Sequence, residues 1–168
     1  QTLDNSALVT LVNIFIEQQN KTDIVTYLCE SILEEDENNK FALHTLAECY
    51  KENGTDSEKL LQLYETIVRI DFEEADIAKL LAEKYEASGK TEEAIEYYKR
   101  ALPRYISKKV FVSAQENWKK LIDLIPEETD FFFTIQRKAV KNLGNDKTIE
   151  LLLDLYKKYY EKEEWSIC

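Results

Sequence analysis

Apolar residues return along this chain every three or four positions, the spacing that gathers one face of an α-helix. Ile77, Leu81 and Tyr85, with the small Ala78 and Ala82, mark one such face; past Gly89, Ala94, Tyr98, Ala101 and Leu102 mark another. Residues 73–102 therefore predict two helices joined at a glycine turn. One period upstream, Leu43, Leu46, Ala47, Tyr50 and Gly54 predict a first helix, and Leu60, Tyr64, Ile67 and Val68 a second. Val9, Val12 and Ile16, followed by Val25, Cys29, Ile32 and Leu33, continue the frame toward the N-terminus. There Asn20 stands in the place of the glycine, and Asn also tolerates the left-handed conformation. The segment Leu46-Ala47-Glu48-Cys49-Tyr50-Lys51-Glu52-Asn53-Gly54 returns 35 residues later as Leu81-Ala82-Glu83-Lys84-Tyr85-Glu86-Ala87-Ser88-Gly89, keeping Leu, Ala, Glu, Tyr and Gly in register. Repeats of this length stack, bury a continuous core and leave an extended surface for another protein.

Thr55 with Glu58, and Asp71 with Glu74, have capping-box spacing and predict helix starts near residues 56 and 72. Beyond residue 102 the frame changes. Tyr98, Ala101, Leu102 and Tyr105 also serve as the first helix of a next unit whose second helix carries Ala114, Trp118, Leu121 and Ile122 before Pro126. A helix shared by two units shortens the period, and Pro103 inside it predicts a bend. A helix is expected at about 128–143, with Phe131, Phe132, Phe133, Ile135 and Val140. Another follows Gly144, with Ile149, Leu152, Leu153, Tyr156 and Tyr159. Three consecutive Phe cannot share one helix face, so one of them is expected at the surface or over a neighbouring unit. Glu163, Trp165 and Cys168 have the look of a further helix beginning, so the chain is expected to be a fragment of a longer protein, as the absence of Met also suggests. The expected architecture is all-α: one repeat domain over 1–168 with about nine helices in antiparallel pairs, regular to about 106, divergent over about 107–168 and irregular after 102.

Composition narrows the function. Three Gly and two Pro in 168 residues leave little material for loops or strands. A net charge of −11 repels nucleic-acid phosphates and anionic membranes and favours a basic partner. No apolar run reaches membrane-spanning length, and no signal peptide is recognisable, so the expected location is cytoplasmic. Cys29, Cys49 and Cys168 have no ligand spacing and read as idle or buried thiols in a reducing compartment. The single His44 has no Cys or carboxylate motif around it, and no Gly-rich phosphate loop, HExxH or nucleophile elbow is present. The expectation is a non-catalytic protein that needs no cofactor and no metal. Glu73 with Glu74 and Glu92 with Glu93 fall at helix starts, where negative charge is favoured.

The alanines, tyrosines and glycines of 73–102 resemble the tetratricopeptide repeat (TPR), in which small residues let paired helices approach and Gly closes the first helix. The resemblance implies a TPR-like α-solenoid that holds a protein or peptide on the inward face of its first helices. In this frame that face carries Thr10, Ile14 and Glu17, then His44, Glu48 and Lys51, then Lys79, Glu83 and Glu86. Family members that clasp a carboxylate chain end do so with Lys and Asn on this face. The departures at Thr10, Ile14, His44, Glu48 and Glu83 argue against that ligand. A second candidate for partner contact is the cationic run Lys99, Arg100, Arg104, Lys108 and Lys109, whose alternative reading is as cations at the negative end of a helix dipole.

Three segments are similar to the helical repeat region that precedes the elongation-factor module in unusually large Gre-type transcript cleavage factors. They are Ile70-Asp71-Phe72 before Ala75-Asp76-Ile77-Ala78, Ala94-Ile95-Glu96-Tyr97-Tyr98-Lys99, and Tyr159-Tyr160-Glu161-Lys162-Glu163-Glu164-Trp165. That resemblance implies an arm of a GreA-type factor, with RNA polymerase or a transcription factor as partner and no nucleic-acid contact of its own. The alternatives are, within binding modules, a half-repeat scaffold of an RNA-processing assembly and, from another class, a helical enzyme.

Overall fold

A computed structural model describes residues 5–17, 22–54 and 57–161, and every regular element among them is an α-helix. The nine helices of the described residues are α1 (Asn5–Glu17), α2 (Thr22–Glu35), α3 (Lys40–Glu52), α4 (Ser57–Ile70), α5 (Asp76–Ala87), α6 (Thr91–Ser107), α7 (Phe111–Leu124), α8 (Thr129–Leu143) and α9 (Asn145–Glu161). They group into two compact units, Gln1–Phe72 and Glu73–Cys168. In the first, α1 to α4 pack each on the next. In the second, α6 packs against α5, α7 and α8, while α9 packs against α7 and α8.

Small residues explain the close packing of α5 on α6. Ala78 and Ala82 on α5 and Ala94 and Ala101 on α6 have no exposed surface, and Leu81, Tyr98 and Leu102 fill the space around them. The α5–α6 hairpin turns where a left-handed residue is required. Gly89 has φ 77°, its N–H donates to Glu86 O at 3.0 Å, and the N–H of Lys90 donates to Tyr85 O at 2.9 Å. These two bonds are a Schellman closure, for which glycine carries no steric cost. The end of α6 closes in the same way, from Lys109 N to Ile106 O and from Val110 N to Tyr105 O, with Lys109 at φ 61°. A side chain there costs about 1–2 kcal/mol that glycine avoids.

Several expectations shift in register. Helix α5 starts at Asp76 rather than near 72, because Asp71 closes α4 and its carboxylate faces Lys40 at 3.2 Å and His44 at 3.8 Å. Glu74 becomes the cap, its Oε1 accepting from the backbone N–H groups of Asp76 and Ile77 at 3.1 and 3.2 Å. On α1 the buried pair is Leu8 and Val12, whereas Ile16 is exposed. Helix α6 passes Pro103 without interruption. Thr55, Asn20 and the segment from Lys162 to Cys168, on which a cap, a turn and a further helix were expected, lie outside the described residues.

One indole of α7 touches both of the last two helices. Trp118 of α7 is wholly buried, stands edge-on to Phe132 of α8 at 4.9 Å, and donates from Nε1 to Leu151 O of α9 at 2.7 Å. Tyr159 adds a second tie by donating to Pro126 O in the turn before α8. Of the three phenylalanines, Phe132 is buried and Phe133 is exposed, as steric alternation requires. The buried face of α9 is Thr148, Leu151 and Tyr159, while Ile149, Leu153 and Tyr156 lie at the surface, as does Val140 on α8.

Candidate functional site

Helices α5, α7 and α9 lie at alternate places in their unit, and their polar faces are joined by a ladder of charge pairs. Lys79 of α5 meets Glu116 of α7 at 2.6 Å, and Lys120 of α7 meets both oxygens of Glu86 of α5 at 2.8 and 3.0 Å. From α7 to α9, Asp123 accepts from Lys158 at 2.5 Å, while Asp154 faces Lys119 at 3.7 Å and accepts from Gln115 at 3.1 Å. Each pair is partly exposed, so it contributes little to stability singly, on the order of 0–1 kcal/mol. Together the pairs fix which charges neighbouring helices present.

Between α5 and α7 lies a groove of about 360 Å³ with Lys79, Glu83 and Asp123 at its sides and Tyr98 and Asn117 at its floor. Tyr98 donates its hydroxyl proton to Glu86 at 2.7 Å. Burial, with that hydrogen bond to a carboxylate, holds the phenol well above its ordinary range. Glu86 moves the other way: hydrogen bonds from Lys120 first, then Tyr98, hold its carboxyl below the usual value of 4.5. A depressed folded value means that the stability Glu86 contributes is complete above the ordinary carboxylate range and is lost as pH falls through the lowered value. Lys120→Met is expected to raise the Glu86 titration midpoint toward the ordinary value, as followed by carboxyl-carbon NMR. An unchanged midpoint would show that the ion pair does not form in solution.

Asn117 is wholly buried yet faces this groove. Its Nδ2 donates to Ser113 O at 2.9 Å, and its Oδ1 has no hydrogen-bond partner. A buried acceptor left so costs about 1–3 kcal/mol.

The residues singled out from sequence fall into three places. Lys79, Glu83 and Glu86 on α5 are joined to the ladder. His44, Glu48 and Lys51 on α3 belong to the other unit, where His44 approaches Asp71, and Glu48 pairs with Lys51 at 3.7 Å within its own helix. The cationic run does not form one patch. Lys99 pairs with Glu128 and lies over the Phe131 ring, Arg100 pairs with Glu96 and lies over Tyr97, and Arg104 donates to the Glu74 carbonyl at 2.7 Å. Lys108 and Lys109 are exposed at the end of α6. Missed from sequence were Glu116, Asn117, Lys119, Lys120 and Asp123 on α7, and Asp154 and Lys158 on α9. For the charged residues of α7 the signal was opposite charge recurring about one repeat after that of α5.

Cys29 and Cys49 are buried free thiols, and burial pushes Cys29 up to about 12, so neither is poised as a nucleophile. Among the described residues no cluster of three His, Cys, Asp or Glu side chains is placed to hold a metal ion, and no helix is long and apolar enough to cross a membrane.

Residues 77–104, which span α5 and most of α6, match the family model of the tetratricopeptide repeat. Over that segment the chain is similar to a tetratricopeptide repeat. The small alanines, the Gly89 closure and the buried Tyr85 and Tyr98 all fall in the matched hairpin, and the fold class is all-α and TPR-like. Over its whole length the chain is 44% identical to a putative GreA-associated domains protein of Treponema pallidum, spanning 25% of it. It is 33% identical over 94% of its length to transcription elongation factor GreA of Borreliella burgdorferi, spanning 17% of that protein. The chain therefore covers a quarter or less of these relatives. Among solved structures, that of MamA protein is 16% identical, with 98% of this chain and 96% of that one covered at a TM-score of 0.49.

Proposed function

We propose that this chain is a non-catalytic protein-interaction module, the TPR-like arm of a GreA-type elongation factor, and that its face on α5, α7 and α9 holds a segment of RNA polymerase or of a transcription factor. The observation that carries the reading is the ladder of cross-helix ion pairs around the groove at Asn117. It is an ordered polar surface with an unsatisfied acceptor and without a nucleophile–base pair. Similarity along the full chain to two GreA-named relatives supports the parentage. The net charge of −11 supports a protein partner over nucleic acid.

The test is binding of the 168-residue chain to purified RNA polymerase core enzyme by biolayer interferometry. Lys119→Glu with Lys120→Glu places like charges opposite Asp154 and Glu86. It is expected to weaken binding by about tenfold, as reversing charges on a contact face disturbs electrostatic complementarity with the partner. No binding at micromolar polymerase would sink the polymerase assignment, and binding unaffected by the double reversal would move the contact to another face.

A further inference from the structure

Resting on the reading of the α5–α7 groove as the holding face, its chemistry specifies what it takes. Two independent features converge there. The first is Asn117, a groove-lining side chain without exposed surface whose Oδ1 lacks any donor. The second is an excess carboxylate. Lys119 and Lys120 are engaged by Asp154 and Glu86, and Lys79 is shared between Glu116 at 2.6 Å and Glu83 at 3.8 Å. Glu83 is therefore the groove carboxylate held most loosely, and half of its side chain surface is open to solvent.

A group that satisfies both must donate hydrogen bonds in more than one direction and bring positive charge. A carboxylate or phosphate fails on both counts, because Asn117 offers only its oxygen and Glu83 would repel it. An uncharged backbone amide satisfies Asn117 alone. We infer that the groove between α5 and α7 receives an arginine side chain from a protein partner, its guanidinium donating to Asn117 Oδ1 and to the Glu83 carboxylate. The planar fork of five donors fits two acceptors on different helices, which a lysine ammonium reaches less well. The acidic balance of the chain favours approach of such a segment. The inference departs from the Lys and Asn clasp for chain-terminal carboxylates, whose ligand has the opposite charge.

The test uses the whole chain and three blocked tripeptide amides: acetyl-Gly-Arg-Gly, the same peptide with the neutral isostere citrulline, and the same with glutamate. Each is titrated while the Asn117 side-chain amide and the α5 and α7 backbone amides are followed by NMR. The expected result is saturable shifts with the arginine peptide at millimolar concentration and binding about tenfold weaker with citrulline, the loss of one charge-assisted bond. Glu83→Gln is expected to erase the arginine-over-citrulline preference. Asn117→Leu is expected to weaken arginine binding, and if that variant does not fold, Glu83→Gln alone decides. Equal shifts from citrulline or glutamate at the same residues would overturn the arginine assignment while leaving the groove a peptide site. Unchanged arginine affinity in Asn117→Leu would mean that a trapped water, and no ligand, serves Oδ1. Groove residues that respond to none of the three peptides overturn the inference, and the polymerase experiment then judges the holding face separately.

Discussion

Replacing Trp118 with Ala is expected to lower the unfolding free energy by about 3–5 kcal/mol, the largest effect of any single change considered. Three losses coincide at this position. The cavity left by the indole lies among wholly buried neighbours, so it cannot be filled by solvent without further rearrangement. The edge-on contact with Phe132 at 4.9 Å disappears, and with it about 0.5–1.5 kcal/mol beyond area burial. The Leu151 carbonyl loses the donor it had at 2.7 Å in a buried setting. Helices α7, α8 and α9 are each represented in those contacts. Hydrogen exchange should therefore show protection falling across all three helices, while urea unfolding followed by circular dichroism gives the magnitude. Trp118→Phe keeps an aromatic ring while losing the N–H donor and part of the indole's volume, so it should fall short of the alanine cost. A loss below about 1 kcal/mol for Trp118→Ala would mean that the indole is not the joint described here.

The opposite manipulation, adding volume, is expected to have the next largest effect. Ala101 has no exposed surface and sits on α6, the helix that packs against α5, α7 and α8. Leu at 101 must push one of those neighbours away or adopt a strained rotamer, at a cost of about 1–3 kcal/mol. Ala87→Leu makes the same chemical change at an exposed position of α5 and should stay within about 0.5 kcal/mol of the parent chain. The comparison separates helix approach from helix propensity, because Ala and Leu are both good helix formers. Equal melting points for the two variants would contradict the close approach of α6 to its neighbours.

The hairpin of α5 and α6 was legible because several signals agree at each of its positions. Ala78, Ala82, Ala94 and Ala101 are small where burial demands it, Tyr85 and Tyr98 fill the gap, and Gly89 occupies the left-handed turn. Register was less legible wherever apolar residues cover two adjoining arcs of one helix. On α9 the run from Thr148 to Tyr160 has apolar residues on both arcs. Its periodicity marked Ile149 and Leu153, whereas packing buries Thr148 and Leu151, because the choice of arc depends on where α7 and α8 stand. The same ambiguity set Leu8 in place of Val9 on α1. The start of α5 was misplaced because Asp71 had a competing partner in Lys40, a contact between residues 31 positions apart that local spacing does not reveal.

For the candidate site, only the α5 contribution was visible. The inward-face frame located Lys79, Glu83 and Glu86 but gave α7 the role of a second helix, which hid its charged residues from the count. The buried Asn117 carried no sequence signal at all, since an Asn in a helix ordinarily faces water. Conversely, Lys99, Arg100 and Arg104 stood out as a basic run only because sequence adjacency was taken for spatial adjacency. In the fold each finds its own acceptor: Glu128 for Lys99, Glu96 for Arg100 and the Glu74 carbonyl for Arg104.

The ladder also acts as a ruler. Its rungs join residues 37, 34 and 35 positions apart: Lys79 to Glu116, Glu86 to Lys120, and Asp123 to Lys158. One residue inserted inside α6 would swing everything after it by about 100° around the helix axis and bring both rungs between α5 and α7 out of phase. The same insertion beside Gly89 could be absorbed by the turn. Drift in chain length is therefore tolerated only at the bends, and the helices between them must keep their residue count as strictly as the teeth of a gear.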